Sequence, residues 1–171
     1  MAHTAMKNHV SSSAADTDAP AVRSWSDEEE VSLRLWIALA RCYLTFSREV
    51  STRVGEYGLT LPQFGVLEVL HHLGPLALGE LAAKLLVTGG NVTFVMDRLE
   101  ELGLAYRDRS DEDRRVVMAR LTPDGRRMIE GSFPQHAVFI GGLMDELTPN
   151  EQQDLRRLLK KLGKSVGDRS E

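Results

Sequence analysis

Small polar residues begin a helical pattern near residue 88, and two adjacent arginines lie in the charged segment that follows it. The helical candidates are Thr88, Asn91, Thr93 and Phe94. Side chains near the N-terminus of such a helix reach base edges in the major groove of DNA. Arg114 and Arg115 suit the narrow minor groove, where the potential is most negative. The pattern fits duplex DNA binding, and the alternative is a helix and hairpin packed for stability with solvated charges.

An enzyme is the competing class of function, with Cys42 as a nucleophile and a histidine as its base. The chain shows no nucleophile elbow and no phosphate-binding loop, since Gly89-Gly90 falls far short of one. His71-His72, His136 and Cys42 are too scattered to predict a zinc site. We therefore expect no enzyme, no cofactor and no metal. A helical interaction module whose hairpin binds an acidic partner is a third reading.

The overall charge also limits the class of protein. With a net charge of −4, 42% hydrophobic and 27% charged residues, the chain is unlike proteins that coat nucleic acid non-specifically. No apolar run approaches the roughly 18 residues of a membrane span, and no secretory segment is visible. The single cysteine excludes an intramolecular disulfide. We expect a cytoplasmic protein with no membrane association.

The first long helix needs a partner. Residues 1–24 lack hydrophobic periodicity and are predicted to be a disordered arm. Ser26 and Glu29 form a capping box that begins a helix of roughly 28 residues, much longer than is typical. Its apolar positions extend beyond one stripe, which favours packing against a second subunit.

The elements that position the candidate residues follow in order. Thr60 and Gln63 form a second capping box before a compact helix. A short helix over Gly79–Leu86 and a tight link then lead into the helix that Gly103 ends. Strands are predicted over Leu104–Arg109 and Val116–Leu121, which gives a winged helix-turn-helix. Two more capped helices complete the chain, one of them begun by Thr122-Pro123 and kinked by Pro134, the other begun by Thr148-Pro149.

These motifs together resemble the MarR (multiple antibiotic resistance regulator) family of bacterial transcription factors over roughly residues 30–165. The motifs that carry the resemblance are Thr60-Leu61-Pro62-Gln63-Phe64, Gly79-Glu80-Leu81-Ala82, Met96-Asp97-Arg98-Leu99, Asp113-x-Arg115 and Leu121-Thr122-Pro123-x-Gly125. Ala119 departs from the family pattern by being smaller than the usual apolar residue, which we expect to loosen the wing.

The resemblance implies a mostly α fold with a small β wing in a single domain over residues 25–171. Dimerisation helices would span residues 25–58 and 123–166, on either side of the winged module over 59–122. The implied function is a sequence-specific regulator of transcription, more typically a repressor, that binds a pseudo-palindromic operator in double-stranded DNA as a homodimer.

The resemblance also assigns roles in DNA binding. Arg115 would enter the minor groove, with Asp113 orienting it by an ion pair, while Arg98, Arg109 and Arg114 would contact phosphates. The residues that would face the major groove are Thr88, Gly89, Asn91, Thr93 and Phe94. Acidic residues slightly outnumber basic ones between residues 75 and 122, so we expect modest non-specific affinity with steep salt dependence.

Family members often release DNA when a small aromatic or phenolic molecule occupies a crevice beside the winged module. The residues expected to line such a crevice are Trp36, Arg41, Phe64, His71 and His72. Thiol oxidation at Cys42 is the alternative form of regulation, although the reactive cysteine of the family's hydroperoxide-sensing branch corresponds in position to Trp36 in this chain. The helical spacing around Cys42 predicts a buried thiol.

Overall fold

The computed structural model describes residues 25–85, 89–109, 113 and 115–167. Within these residues it contains six helices and a three-stranded antiparallel sheet. The elements are α1 Asp27–Gly55, α2 Leu61–Leu73, β1 Leu76–Ala77, α3 Leu78–Leu85, α4 Gly89–Glu101, β2 Ala105–Arg109, β3 Val117–Leu121, α5 Pro123–Leu143 and α6 Pro149–Gly167. The chain divides into two compact units, Met1–Leu39 and Ala40–Glu171.

In the first unit, the described residues 25–39 begin with the predicted capping box. The Glu29 N–H donates to Ser26 Oγ at 3.2 Å, and the Ser26 N–H donates back to the Glu29 carboxylate at 2.7 Å. The indole of Trp25 donates to Glu30 at 2.7 Å. Large apolar side chains of this segment are exposed, among them Leu33, Trp36 and Ile37.

The second unit has one hydrophobic core, to which α2, α3, α4, the sheet and α5 each contribute. Its fully buried side chains include Phe64, Leu67 and Leu70 of α2, Leu81 of α3, Val92, Met96 and Leu99 of α4, and Ile129 of α5. Burying a side chain of this size contributes about 1.5–3 kcal/mol. Helices α2, α3, α4 and α5 are therefore each anchored in this core through their own apolar residues.

The sheet contains one strand that the sequence did not predict. β3 lies in the centre, paired with β2 on one side and with the two-residue β1 on the other. Ala119 of β3 is opposite Arg107 of β2 and Leu76 of β1, and its side chain is fully buried. The small side chain at this position does not interrupt the pairing on either side.

A close junction holds the end of α4, the base of the wing and the start of α5 together. Gly103 ends α4 with a φ of 69°, a conformation that favours glycine. The Thr122 hydroxyl donates to the Gly103 carbonyl at 2.7 Å and accepts the Gly125 N–H at 3.0 Å, so it caps α5 as predicted. The Thr122 N–H donates to the Leu104 carbonyl at 3.1 Å. Gly125 approaches this carbonyl so closely that a Cβ would lie 2.8 Å from the Leu104 carbonyl carbon.

Candidate DNA-binding surface

Helix α4 has two faces of opposite character. Val92, Met96 and Leu99 are at most 1% exposed, which fixes the rotation of the helix about its axis. The opposite face leaves the predicted residues Gly89, Asn91, Thr93, Phe94 and Arg98 exposed. Thr93 also donates its hydroxyl hydrogen to the Gly89 carbonyl at 3.1 Å. The predicted reading residues of the described helix therefore lie on one outward surface, while Thr88 falls outside the described residues.

Phe94 and Arg98 form a pair on this outward surface. The guanidinium carbon of Arg98 lies 5.4 Å from the centre of the Phe94 ring, within cation–π range. Arg98 also makes an ion pair with Glu101 at 2.6 Å. Phe94 is 59% exposed, a large apolar surface at a position where a partner is expected. The pair gives α4 a flat apolar ring beside a positive charge.

The wing tip holds a local arginine–carboxylate pair. Asp113 accepts the Arg115 backbone N–H at 3.0 Å, and its carboxylate receives the Arg115 guanidinium at 3.0 and 3.1 Å. These hydrogen bonds lower the pKa of Asp113, so its carboxylate is charged at neutral pH. The Arg115 side chain remains 91% exposed. The predicted contact between Asp113 and Arg115 is therefore present, Arg109 is exposed at the end of β2, and Arg114 lies outside the described residues.

Two further arginines of the winged module face carboxylates of the protein. Arg107 of β2 pairs with Glu100 and Asp97 of α4, each at 2.6 Å. Arg120 of β3 pairs with Asp108 of β2 at 2.9 Å. Both arginine side chains are less than one-third exposed. The acidic residues that lower the net charge of the winged module, Asp97, Glu100 and Asp108, thus form ion pairs between its secondary-structure elements.

A groove of about 730 Å³ lies between the first turns of α2 and the outward side of α4. Its walls are mostly apolar, and Asn91, Phe94 and Arg98 line it together with Gly65 of α2. A Cβ on Gly65 would lie 3.3 Å from the Leu85 side chain, so a larger residue here would intrude on the groove. Three predicted DNA-binding residues therefore also line an apolar groove.

Aromatic and histidine side chains form a separate cluster where α2 meets α5. The His136 ring lies 4.6 Å from Phe64, and the His72 ring lies 4.7 Å from Phe133. His71 and His72 are 5.0 Å apart, and Tyr57 stacks on Phe64 at 5.8 Å. We call these rings the aromatic cluster: Tyr57, Phe64, His71, His72, Phe133 and His136.

Several polar atoms at this cluster are buried without a hydrogen-bond partner in the described part of the chain. They are Nδ1 of His136, Nδ1 of His71, the hydroxyl of Tyr57 and Nε of Arg53. His136 is 8% exposed, and burial lowers the pKa of its imidazole, opposed by Glu68 and reinforced by Arg53. The ring is therefore neutral at neutral pH. An unsatisfied buried donor or acceptor costs about 1–3 kcal/mol, so a hydrogen bond to any of these atoms would be favourable.

Comparison with known proteins gives the family. A MarR family model matches residues 59–117. The HTH-type transcriptional regulator MhqR of Bacillus subtilis strain 168 is 34% identical over 134 residues, which are 78% of this chain and 92% of that protein. The chain belongs to the MarR family.

Solved structures agree with this MarR assignment. A mutant MarR from E. coli complexed with operator DNA matches with a TM-score of 0.71 and 26% identity, over 80% of this chain and 99% of that one. Bordetella bronchiseptica BpsR, whose DNA binding is regulated by 6-hydroxynicotinic acid, matches with a TM-score of 0.69 and 27% identity, over 76% and 98%. The predicted family and the mostly α fold with a β wing are confirmed.

The structure brings together only some of the residues predicted to line a crevice in this MarR chain. Phe64, His71 and His72 belong to the aromatic cluster, and Trp36 and Arg41 are exposed residues of α1. Sequence reasoning did not connect His136 with Phe64, which lie in different helices. The one available signal was an apolar α5 pattern in which a histidine occupies a buried position.

The prediction that the Cys42 thiol is buried is wrong for the single chain. Cys42 is exposed, because Val54 is the only buried residue of α1. Helical spacing predicted an apolar stripe, and Val50 and Val54 at its C-terminal end pack against the hydrophobic core, whereas Cys42 does not. Among the described residues, no three His, Cys, Asp or Glu side chains are grouped to hold a metal ion. No described helix has the length and apolarity of a membrane span.

Proposed function

We propose that this MarR-family protein is a transcriptional repressor that binds a pseudo-palindromic operator in double-stranded DNA as a homodimer. The observation that carries the proposal is the two-sided α4, fully buried along Val92, Met96 and Leu99 and open along Asn91, Thr93 and Phe94. A helix fixed in rotation presents the same side chains to every duplex, which sequence recognition requires.

The side chains suggest a division between base recognition and backbone contact. An asparagine amide suits the adenine edge in the major groove, which gives Asn91 a role in base preference. Thr93 and Phe94 offer a hydroxyl and an apolar ring to neighbouring base edges, and Gly89 begins the helix. We also assign Thr88, which lies outside the described residues, to the major-groove contact. We assign Arg115 to the minor groove and Arg98, Arg109 and Arg114 to contacts with phosphates.

A homodimer is supported by the apolar residues that one chain leaves exposed. α1 exposes Leu33, Trp36, Ile37, Tyr43 and Leu44, and α6 exposes Leu155, Leu158, Leu159 and Leu162. No residue of α6 is buried within a single chain. Large contiguous apolar surfaces on a soluble protein mark interfaces. A two-fold dimer places two reading helices about one helical turn of DNA apart.

The aromatic cluster supports release by a small aromatic acid or phenol. The half-buried ring of Phe133 and the exposed ring of His72 offer stacking surfaces, and the unpartnered atoms of His136, His71 and Tyr57 offer hydrogen bonds. A ligand with a planar ring and an acidic oxygen satisfies both features. Regulation of BpsR by 6-hydroxynicotinic acid is consistent with a ligand of this class.

The first test is selection of bound fragments from a genomic DNA pool, with the stoichiometry of the complex measured. Enrichment of a palindrome bound by two chains supports the proposal, and failure to enrich any sequence at moderate salt contradicts it. Arg115→Ala is expected to weaken operator binding and to lower the slope of log affinity against log salt by about 0.9 for each phosphate-paired charge lost. Arg48→Ala is the matched control, since Arg48 is also exposed and paired with a neighbouring carboxylate.

The effector proposal is tested by adding hydroxybenzoic and hydroxypyridine carboxylic acids to the operator complex. Release by one of them should be lost in Phe133→Ala, which removes a ring of the aromatic cluster. Gly65→Leu, which narrows the groove beside α4, separates the two locations. Release that survives Phe133→Ala and disappears in Gly65→Leu would move the ligand to that groove.

A further inference from the structure

We propose that Arg107 is a positioning residue for DNA reading: it fixes the recognition helix α4 to the wing and does not itself contact DNA. This inference rests on the proposed function. It concerns a strand residue whose side chain forms ion pairs with two carboxylates of α4, and it explains how two separate DNA-contacting parts keep one relative orientation.

The bonds of Arg107 form a clamp between two elements, which we call the α4–β2 clamp: Asp97, Glu100 and Arg107. Glu100 accepts the Arg107 backbone N–H at 2.7 Å and Nε at 3.1 Å through one oxygen, and Nη2 at 2.6 Å through the other. Nη2 also donates to Asp97 at 2.6 Å. One arginine thus contacts residues one turn apart on α4, with both its backbone and its side chain.

The charge balance of the clamp argues against contact with phosphate. One guanidinium faces two carboxylates, so the group carries a net negative charge when all three are ionised. Hydrogen bonds from Arg107 lower the pKa of Glu100, which keeps that carboxylate charged at neutral pH. The Arg107 side chain is 25% exposed, against 91% for Arg115. A phosphate near the clamp would meet a surplus of negative charge, whereas Arg115 is open to it.

The clamp acts on the wing because β2 is rigid. β2 pairs with β3 along five residue pairs, from Ala105↔Leu121 to Arg109↔Val117. The Arg120–Asp108 ion pair adds a second link between these strands. Since β2 and β3 lead directly to the tip, the clamp transmits the position of α4 to Arg115. A lysine at position 107 cannot reproduce the clamp, because the planar guanidinium of arginine donates hydrogen bonds in directions that a single ammonium group cannot match.

The test is a double-mutant cycle on operator affinity, using Glu100→Gln, Arg115→Ala and the combination. Glu100→Gln is expected to weaken binding at least fivefold without changing the salt slope. Arg115→Ala should cost clearly less in the Glu100→Gln background, because a loosened wing has already lost part of that contact. Arg107→Lys is expected to match Glu100→Gln, although it keeps the positive charge.

Arg120→Lys is the matched control, because Arg120 also pairs with a carboxylate, through its Nε, and is similarly buried but has its described ion pair within the wing. It should combine additively with Arg115→Ala. Thermal melting of each variant separates loss of fold from loss of orientation.

Three outcomes would overturn the proposal. If the losses of operator affinity in Glu100→Gln and Arg115→Ala were additive, the clamp would not position the wing. The proposed DNA-binding function would be unaffected by that result. An Arg107→Lys protein with full affinity, together with a lower salt slope for Arg107→Gln, would make Arg107 a phosphate contact. A parent protein that enriches no duplex removes the proposed function, and the positioning role falls with it.

Discussion

Replacing Gly125 by alanine tests the junction between α4, the wing and α5. A Cβ at this position would lie 2.8 Å from the Leu104 carbonyl carbon and closer still to its oxygen, and neither belongs to a side chain that could rotate away. The start of α5 must therefore move away from Leu104. That movement strains three hydrogen bonds: Thr122 N–H to Leu104, Thr122 hydroxyl to Gly103, and Gly125 N–H to Thr122.

The expected loss follows from these bonds. At about 1 kcal/mol for each hydrogen bond, the three together amount to about 3 kcal/mol. The higher helix propensity of alanine offsets at most about 1 kcal/mol of this loss, so the free energy of unfolding should fall by at least about 2 kcal/mol. Gly131→Ala is the matched control on the same helix, since a Cβ there meets nothing within 4 Å. It should raise the free energy of unfolding by up to about 1 kcal/mol.

Urea unfolding at one fixed protein concentration measures both variants, because a dimer's apparent stability depends on concentration. The two alanine substitutions should shift the unfolding midpoint in opposite directions. If Gly125→Ala unfolded with the same free energy as the parent, the close approach to Leu104 would not constrain the fold. Our account of the junction would then be wrong.

Three further predictions concern pH, base preference and the thiol. Because burial lowers the pKa of His136, the unfolded chain binds protons more readily than the folded chain. The free energy of unfolding should therefore fall as pH drops below about 6.5, by at most about 1.4 kcal/mol per pH unit. Urea unfolding of the parent and of His136→Gln at pH 7.5 and 5.5 should show a weaker pH dependence of stability in the variant. Asn91→Ala should change which bases are enriched in a repeated DNA selection, whereas Arg115→Ala should lower affinity across sequences; an unchanged motif would remove Asn91 from base reading. The exposed Cys42 should react with a thiol reagent when the protein is dilute enough to be monomeric, and more slowly at concentrations that favour the dimer. A reaction rate that does not depend on protein concentration would place Cys42 outside the dimer interface.

Local signals predicted most of the elements. The capping boxes at Thr60 and Thr148 form as expected, and Gly103 ends α4 at positive φ. These succeed because a cap depends on residues three positions apart. The buried stripe of α4 also follows from spacing alone. By contrast, β1 is two residues long, too short for any alternation to appear, and it exists because β3 offers a free edge.

The candidate site was harder to predict from the sequence, because some of its contacts join residues that are far apart in the chain. Asp113 and Arg115 are two residues apart, so their pairing could be anticipated. Arg107 reaches Glu100 only because the chain reverses at Gly103, and the angle of that reversal decides which carboxylate it meets. The prediction that Cys42 is buried was wrong because helical spacing shows which residues share a face of α1. It does not show whether another surface covers that face.

The position of Pro134 in α5 has a consequence for operator geometry. Proline has no backbone N–H, so the Glu130 carbonyl lacks its usual donor within the helix. This turn lies between Gly125 at the base of the wing and His136 in the aromatic cluster, which are about 17 Å apart along the helix. A helix bends most readily where a carbonyl lacks its donor, so the turn of α5 that bends most easily lies next to the residues proposed to hold a ligand. In the proposed dimer, a small angular change at that turn would alter the separation of the two reading helices, so we expect this proline to influence the spacing between operator half-sites.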